Sequence, residues 1–302
     1  MYPPAAMRAF QRLLWLALLF GAAACSRHTQ PPPRRQTLAV QGVNGLSGLS
    51  FDPGGRLWMA PERDPRLVVR DTDGTLSTVP LEGVPAGLDV ESLAWLDWRY
   101  LALGTEGNVA PSGTESAAPA LILRARLTDD DKRVVVTGRP IELDPAPWGL
   151  QIKENQGIEG LCRAGKELVA GLETVGKDDR GRFAPLGVYD FATQRWRAYR
   201  LRLTSGTGKL SALSCWARPG GIMLYAVERH FGVLRILSAA VTAPGGDVTP
   251  RVVANLDHFA SQTKLNVEGL ESGDGGRLFM VIDNQYKTIT GPNELLTMPV
   301  YH

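Results

Sequence analysis

Eight carboxylates recur at two fixed places in this sequence. Leu49, Leu93, Leu161, Leu213 and Leu270 each follow a polar residue by two positions: Ser47, Glu91, Glu159, Ser211 and Glu268. Each leucine also precedes an acid by 12 to 15 residues, at Glu62, Glu106, Glu173, Glu228 and Asp283. Carboxylates gathered closely cannot all stay ionised; they bind protons, pair with cations or coordinate a metal. Oxygen donors of this kind, with the amides Asn155, Asn266 and Asn284 nearby, suit a hard cation such as Ca²⁺. The chain has only four histidines and three cysteines, too sparse for a zinc site. Glu91, Glu159 and Glu268 share one repeat position and are the expected metal ligands. The two repeats that carry serine there end in Glu62-Arg63 and Glu228-Arg229. Those guanidinium groups either salt-bridge the acids or grip an anionic substrate bidentately. His230 follows directly, as a base or as an exposed loop residue. No Gly-x-Ser-x-Gly elbow occurs, so a serine-hydrolase reading has no footing.

The elements that must position these acids are hairpins. Five segments align: Gly45 to Asp64, Asp89 to Asn108, Gly157 to Thr174, Lys209 to His230 and Asn266 to Gln285. Each has a short apolar strand, a tight turn, a second apolar strand and then an acid. Asp52-Pro-Gly-Gly55, Pro219-Gly-Gly221 and Gly273-Asp-Gly-Gly276 supply the residues a reversal needs. In an antiparallel hairpin the start of the first strand and the end of the second lie at one end. Five such hairpins around an axis would therefore collect the acids at one channel mouth. The anchor leucines lie 44, 68, 52 and 57 residues apart, and a propeller blade takes about 40 to 50. The expected fold is an all-β propeller of five blades, with six the alternative if the longest interval hides one. The last blade is one strand short, and Thr37 to Val43 is expected to complete it, closing the ring and hiding both sheet edges.

The N-terminus reads as an address. Arg8 and Arg12 precede the apolar run Leu13 to Phe20, small residues follow, and Cys25 comes next. The run is too short to span a bilayer and has the flanks of a cleaved export signal. Gly-Ala-Ala-Ala-Cys resembles a bacterial lipobox, with Ala22 where Leu is usual. The expected organisation is a signal peptide over 1–24, a lipidated Cys25 with a Pro-rich tether over 25–36, and the propeller over 37–302. Membrane attachment is expected through the lipid anchor only; Ser26 favours the outer membrane, facing the periplasm, in a Gram-negative source. Without Arg8 and Arg12 the 33 Lys and Arg become 31, equal to the 31 Asp and Glu. No basic block points to nucleic acid. Cys162 and Cys215 remain, to pair in an oxidising compartment or to stay as buried thiols.

The segments Gly45-Leu-Ser-Gly-Leu49, Asp89-Val-Glu-Ser-Leu93, Asn155 to Leu161, Glu228-Arg229 and Asn266-Val-Glu-Gly-Leu270 with Asp283-Asn284 resemble the phytase-like β-propeller family described as having esterase-like activity. The resemblance implies an extracytoplasmic propeller and a metal-dependent hydrolysis of phosphate or carboxylic esters. The strand-starting glutamates would hold the cation. Glu228 or Asp283 would accept a proton from water, and Arg63 or Arg229 would hold the anionic group of a small ester substrate. Glu62 and Arg63 depart from the Asp-rich strand ends of such proteins. Two other classes fit the same carboxylates: a five-bladed glycosidase with an acid and base pair, and a non-catalytic binding propeller tied together by Ca²⁺.

Overall fold

Strands account for nearly all the regular structure in the computed structural model, which describes residues 31–107, 120–153, 156–242, 244–284 and 291–300. The leader, Cys25 and Asn155 lie outside the described residues. After β1 (Arg34–Leu38) come β2 (Leu46–Phe51), β3 (Leu57–Pro61), β4 (Arg66–Arg70) and β5 (Leu76–Glu82), an antiparallel meander from β2 to β5. β6 (Leu88–Trp95), β7 (Tyr100–Gly107), β8 (Ala120–Leu127) and β9 (Val134–Val136) repeat it, with β10 (Ile141–Leu143) beside β8. Parallel pairing of β5 with β9 joins these two runs into one nine-stranded sheet.

The third run comprises β11 (Ile158–Ala164), β12 (Glu167–Leu172), the short β13 (Gly176–Asp178), β14 (Gly181–Asp190) and β15 (Arg195–Arg202). The fourth is β16 (Lys209–Arg218), β17 (Gly221–His230) and β18 (Val233–Val241); β19 (Gly246–Val248) then crosses to pair with β15, and β20 (Arg251–Asn255) returns to β18. A short helix, α1 (Asp257–Thr263), leads into β21 (Asn266–Gly273), β22 (Arg277–Asp283) and β23 (Asn293–Pro299). β1 completes this last sheet, pairing from Arg34 opposite Thr297 to Leu38 opposite Asn293. The N-terminal closing strand therefore begins three residues earlier than expected and takes in Arg34 to Gln36, read from sequence as tether. The reason is a clasp: Arg35 donates to both oxygens of Glu294, each at 2.9 Å.

The first strands of the runs, β2, β6, β11, β16 and β21, pack side by side in that order, and β21 returns to β2. The result is an all-β, propeller-like arrangement. Its core is divided accordingly. Each of five apolar clusters lies between two consecutive runs, such as Trp58, Leu67 and Val69 against Val90, Leu93 and Leu103. First strands touch neighbours on both sides, so β2 and β6 are buried along nearly their whole length. Strands buried on both faces read as continuous apolar runs rather than alternating ones. Cys162 on β11 and Cys215 on β16 form a disulfide, linking neighbouring first strands. A bridge closing a loop of this length stabilises by roughly 2–4 kcal/mol.

Candidate functional site

One backbone irregularity is common to all five first strands. Each slips by one residue against its partner, and the extra residue is Ser47, Glu91, Glu159, Ser211 or Glu268. In β6, for example, Val90 faces Thr105 and Ser92 faces Gly104, leaving Glu91 unmatched. A bulge of this kind bends the strand and re-aims one side chain. Here it brings together side chains that a regular pleat would direct elsewhere.

The residue after each bulge is small: Gly48, Ser92, Gly160, Ala212 or Gly269. Neighbouring first strands approach too closely for more. A Cβ at Gly48 would stand 2.8 Å from the Leu93 nitrogen, and one at Gly160 2.5 Å from the Leu213 side chain. Ser92 and Ser211 use the same proximity, donating to the Ile158 and Val267 carbonyls at 2.6 and 2.8 Å.

The bulges and second-strand ends place the acids in two neighbouring groups. In the first, Glu62, Asp89, Glu91 and Glu106 each offer a carboxylate oxygen, all within 4.8 Å of one another. Asp89 lies directly opposite Glu106 in the β6–β7 register. Arg63 donates from Nε to Asp89 at 3.0 Å and pairs with Glu62 at 2.6 Å, its side chain 59% exposed. Oε1 of Glu91 is buried and has no hydrogen-bond partner.

The second group holds Glu159, Glu173 and Glu268. Arg229 pairs with Glu268, Lys209 stands 3.3 Å from Glu173, and Asn266 donates to Glu268 at 2.8 Å and to Asp283 at 3.1 Å.

Burial raises the pKa of Glu62, Glu91 and Glu106 in the first group and of Glu159 and Glu268 in the second. Glu91 and Glu159 lie well above the usual range, first because they are desolvated and then because neighbouring glutamates repel them. Glu106 is pushed up to about 8 by burial and by Glu173, against the Gly157 N–H. Glu268 reaches about 7, because Arg229 offsets part of the burial effect. Glu91 and Glu159 each feel the charge of Glu268, and Glu159 that of Glu91, so the three bulge glutamates lie within electrostatic reach of one another.

The residue set suited to a metal differs from the expected one. Among the described residues, the tight group contains Glu91 but excludes Glu159 and Glu268; Glu268 already has a cation in Arg229. Asp89 was missed, although it lies two residues before Glu91. Its role depends on the bulge and the register, neither of which the apolar pattern displays. A hard cation fits this group: Ca²⁺ takes oxygens at about 2.3–2.6 Å, so ligands on opposite sides of the ion lie nearly as far apart as these four do. The unpartnered Glu91 oxygen is buried among three other acids, where such a cation would satisfy it.

The other expected residues fall as follows. Asp283 stands between the groups, close enough to raise the pKa of both Glu62 and Glu268. Glu228 is fully buried, and its two oxygens accept the N–H and hydroxyl groups of Thr204 and Ser205 at 2.5–2.9 Å. That occupation makes it an anchor for the 204–208 loop rather than a companion of Asp283. Arg229, expected to be either a salt bridge or an anion grip, makes the salt bridge. Arg63 also makes salt bridges but remains the more exposed of the two. His230 has a lowered pKa, through desolvation and then through Lys209 and Arg229.

No curated protein matches the chain. Among solved structures it is similar to the PQQ-bound aldose sugar dehydrogenase of Streptomyces coelicolor, at 12% identity and a TM-score of 0.44 over 90% of this chain and 100% of that one. It is also similar to virginiamycin B lyase of Staphylococcus aureus, at 12% identity and 0.43 over 89% and 99%. A luciferin-regenerating enzyme gives 12% and 0.45 over 88% and 95%. The family model that matches runs from residue 41 to 286, enclosing every bulge and every acid of the mouth. On that match the chain belongs to the phytase-like family described as esterase-like activity of phytase.

Proposed function

We propose that this protein is a five-bladed, exported lipoprotein that hydrolyses small anionic phosphate or carboxylic esters with a divalent cation, Ca²⁺, held at Glu62, Asp89, Glu91 and Glu106. One observation carries the reading. The Glu91 oxygen is buried without a partner inside a group of four carboxylates, and a protein leaves such an atom unmet at a cost of about 1–3 kcal/mol or more. Family membership supplies the reaction class. The blade count rests on the cycle of five first strands and the five inter-run clusters. The export reading is supported by the leader pattern and by the Cys162–Cys215 disulfide, since disulfides persist mainly in oxidising compartments.

A bound divalent cation would polarise the ester oxygen and make water a better nucleophile. The protein's residues do the rest. Arg63, at the exposed edge of the group, receives the anionic group of the substrate. Asp283, steadied by Asn266, accepts the proton that water loses as its oxygen bonds to the acyl carbon or phosphorus. The ester oxygen leaves with a proton, so ester and water become acid and alcohol. Arg229 and Lys209 keep the neighbouring acids from adding more negative charge beside an anionic substrate.

The test is elemental analysis of purified protein, then a panel of phosphate and carboxylic esters with and without chelator. Hydrolysis that chelation abolishes and Ca²⁺ restores is the expected result. A calcium-dependent rise in stability with no hydrolysis of any ester would leave a binding propeller. For the anchor, labelled fatty acid should enter the wild type in a bacterium and not Cys25→Ser; equal labelling would remove it.

A further inference from the structure

A cleft of about 510 Å³ opens beside the four-carboxylate group. Glu62, Arg63, Asp64 and Asp89 give it charged lining, and Leu81, Val84 and Pro85 are among its apolar residues. The volume lies in the range of small-molecule pockets, about 300–1,000 Å³. Leu81, Val84 and Pro85 come from the end of β5 and the connection that carries the chain to β6. That connection turns at Gly83 and Gly87, both with positive φ, +85° and +84°. Its middle residue pair, Pro85 and Ala86, is exposed while Val84 packs on the core between the first two runs. The cleft thus combines charged lining with an aliphatic stretch supplied by the end of β5 and the 83–87 connection, and it adjoins the acids most suited to a cation.

This division selects among esters. A ligand bearing anionic groups all around would press some of them against Leu81, Val84 and Pro85, where their desolvation goes uncompensated. A ligand with one anionic group and one compact apolar group satisfies both kinds of lining. We infer that the cleft between Arg63 and the 83–87 connection binds the apolar group of an ester that carries a single anionic group, and so sets substrate choice. The inference rests on the ester-hydrolase reading above, and Arg63 is the residue the two have in common. Burying each additional methylene multiplies affinity about fourfold.

The experiment compares methylphosphonate with butylphosphonate for binding by calorimetry, and methyl phosphate with butyl phosphate for hydrolysis, all with Ca²⁺ present. Wild type should favour butyl over methyl by at least tenfold in Kd and in KM. Ala86→Trp, which fills the cleft from an exposed position, should bring both ratios close to one while the calcium-dependent rise in Tm is unchanged. Ala86→Arg, which places a charge there, is the second variant and should do the same. Equal binding of the two phosphonates by wild type, or a butyl preference that survives both substitutions, overturns the cleft assignment. Hydrolysis without chain-length preference would uphold the hydrolase and discard the cleft. Discrimination between the phosphonates without any hydrolysis would uphold the cleft and discard the hydrolase.

Discussion

Glu91 and Glu268 occupy the same bulge position on two first strands, yet they are compensated in different ways. Each is approached by an arginine from the preceding repeat, Arg63 in one case and Arg229 in the other. Two residues before the bulge the strands differ: Asp89 in one, Asn266 in the other. Arg63 pairs with Asp89 and Glu62, and a Glu91 oxygen is left unmet. Arg229, facing a neutral Asn266, pairs with Oε1 of Glu268, whose Oε2 is buried without a hydrogen-bond partner but shares a carboxylate that already has a cation. The bulge fixes where the glutamate points, and the residue two positions earlier decides whether a guanidinium or an added cation must answer it.

The largest effect should come from removing the built-in cation. Arg229→Met would leave Glu268 buried beside Glu159 and Glu173 with its main partner gone. Breaking a buried pair from one side costs about 3–5 kcal/mol, read as a lower midpoint in urea. Adding Glu268→Met should recover most of that loss, because the pair is then replaced by apolar groups. A single substitution that leaves the midpoint unchanged would mean that the two halves of the mouth are not compensated differently.

Next in size is the cation response of the other half. A ligand that binds only the folded state at a hundredfold excess over its dissociation constant stabilises by about 2.7 kcal/mol. Chelation should lower Tm accordingly and Ca²⁺ should restore it. Glu91→Gln should abolish that response. Asp89→Asn should weaken it, since it imitates Asn266 and frees Arg63 to face Glu91. If Glu159→Gln removes the response while Glu91→Gln preserves it, the cation belongs to the Arg229 side instead.

Ionisation gives a smaller and more gradual test. Without a cation, Glu106 titrates at about 8 and Glu268 at about 7, both above the ordinary 4.5. A carboxyl raised in the folded state contributes stability that is complete below its unfolded pKa and is lost as pH rises through the folded value. The chelated protein should therefore lose several degrees of Tm as pH rises from about 5 to about 8.5. Calcium should oppose the loss increasingly over the same interval, because it favours the ionised acids. A chelated protein whose Tm climbs steadily with pH would show that the acids are not held above their ordinary values.

The hairpins and their shared acidic end could be read from sequence because apolar strand, glycine turn, apolar strand and acid recur in fixed order. The closing role of the N-terminal segment followed from the missing partner of the last sheet. Its register did not, because Arg34 and Arg35 look like tether until Glu294 is known to lie beside them. The bulges were hidden for a different reason. The slip falls on the polar residue itself, and one serine or glutamate in an apolar strand does not announce an extra residue. The other visible trace is the small residue that follows, as in Ser47-Gly48, Glu159-Gly160 and Glu268-Gly269, and small residues have many other causes. Pairing of Cys162 with Cys215 was equally open until β11 and β16 were known to be neighbours. Arg63 meets Asp89 and Arg229 meets Glu268, each on the following repeat, so no spacing within one repeat could assign those two pairs.

The smallest effect separates Lys209 from Arg229, the two cations of the second group. Lys209 stands 3.3 Å from Glu173, but its side chain is 39% exposed. Water competes for an ammonium group in that position, and such pairs contribute between zero and about 1 kcal/mol. Arg229 has far less water available, with its side chain 20% exposed, and its partner Glu268 is 9% exposed. Lys209→Met should therefore shift the urea midpoint only slightly, and 1 M salt should erase the difference by screening the exposed charge. The same salt should leave most of the Arg229→Met loss in place, because a buried pair is screened much less. If Lys209→Met proves as damaging as Arg229→Met, the compensation is spread across the rim. The contrast with Glu91 would then rest on how many cations stand nearby rather than on which carboxylate one buried guanidinium meets.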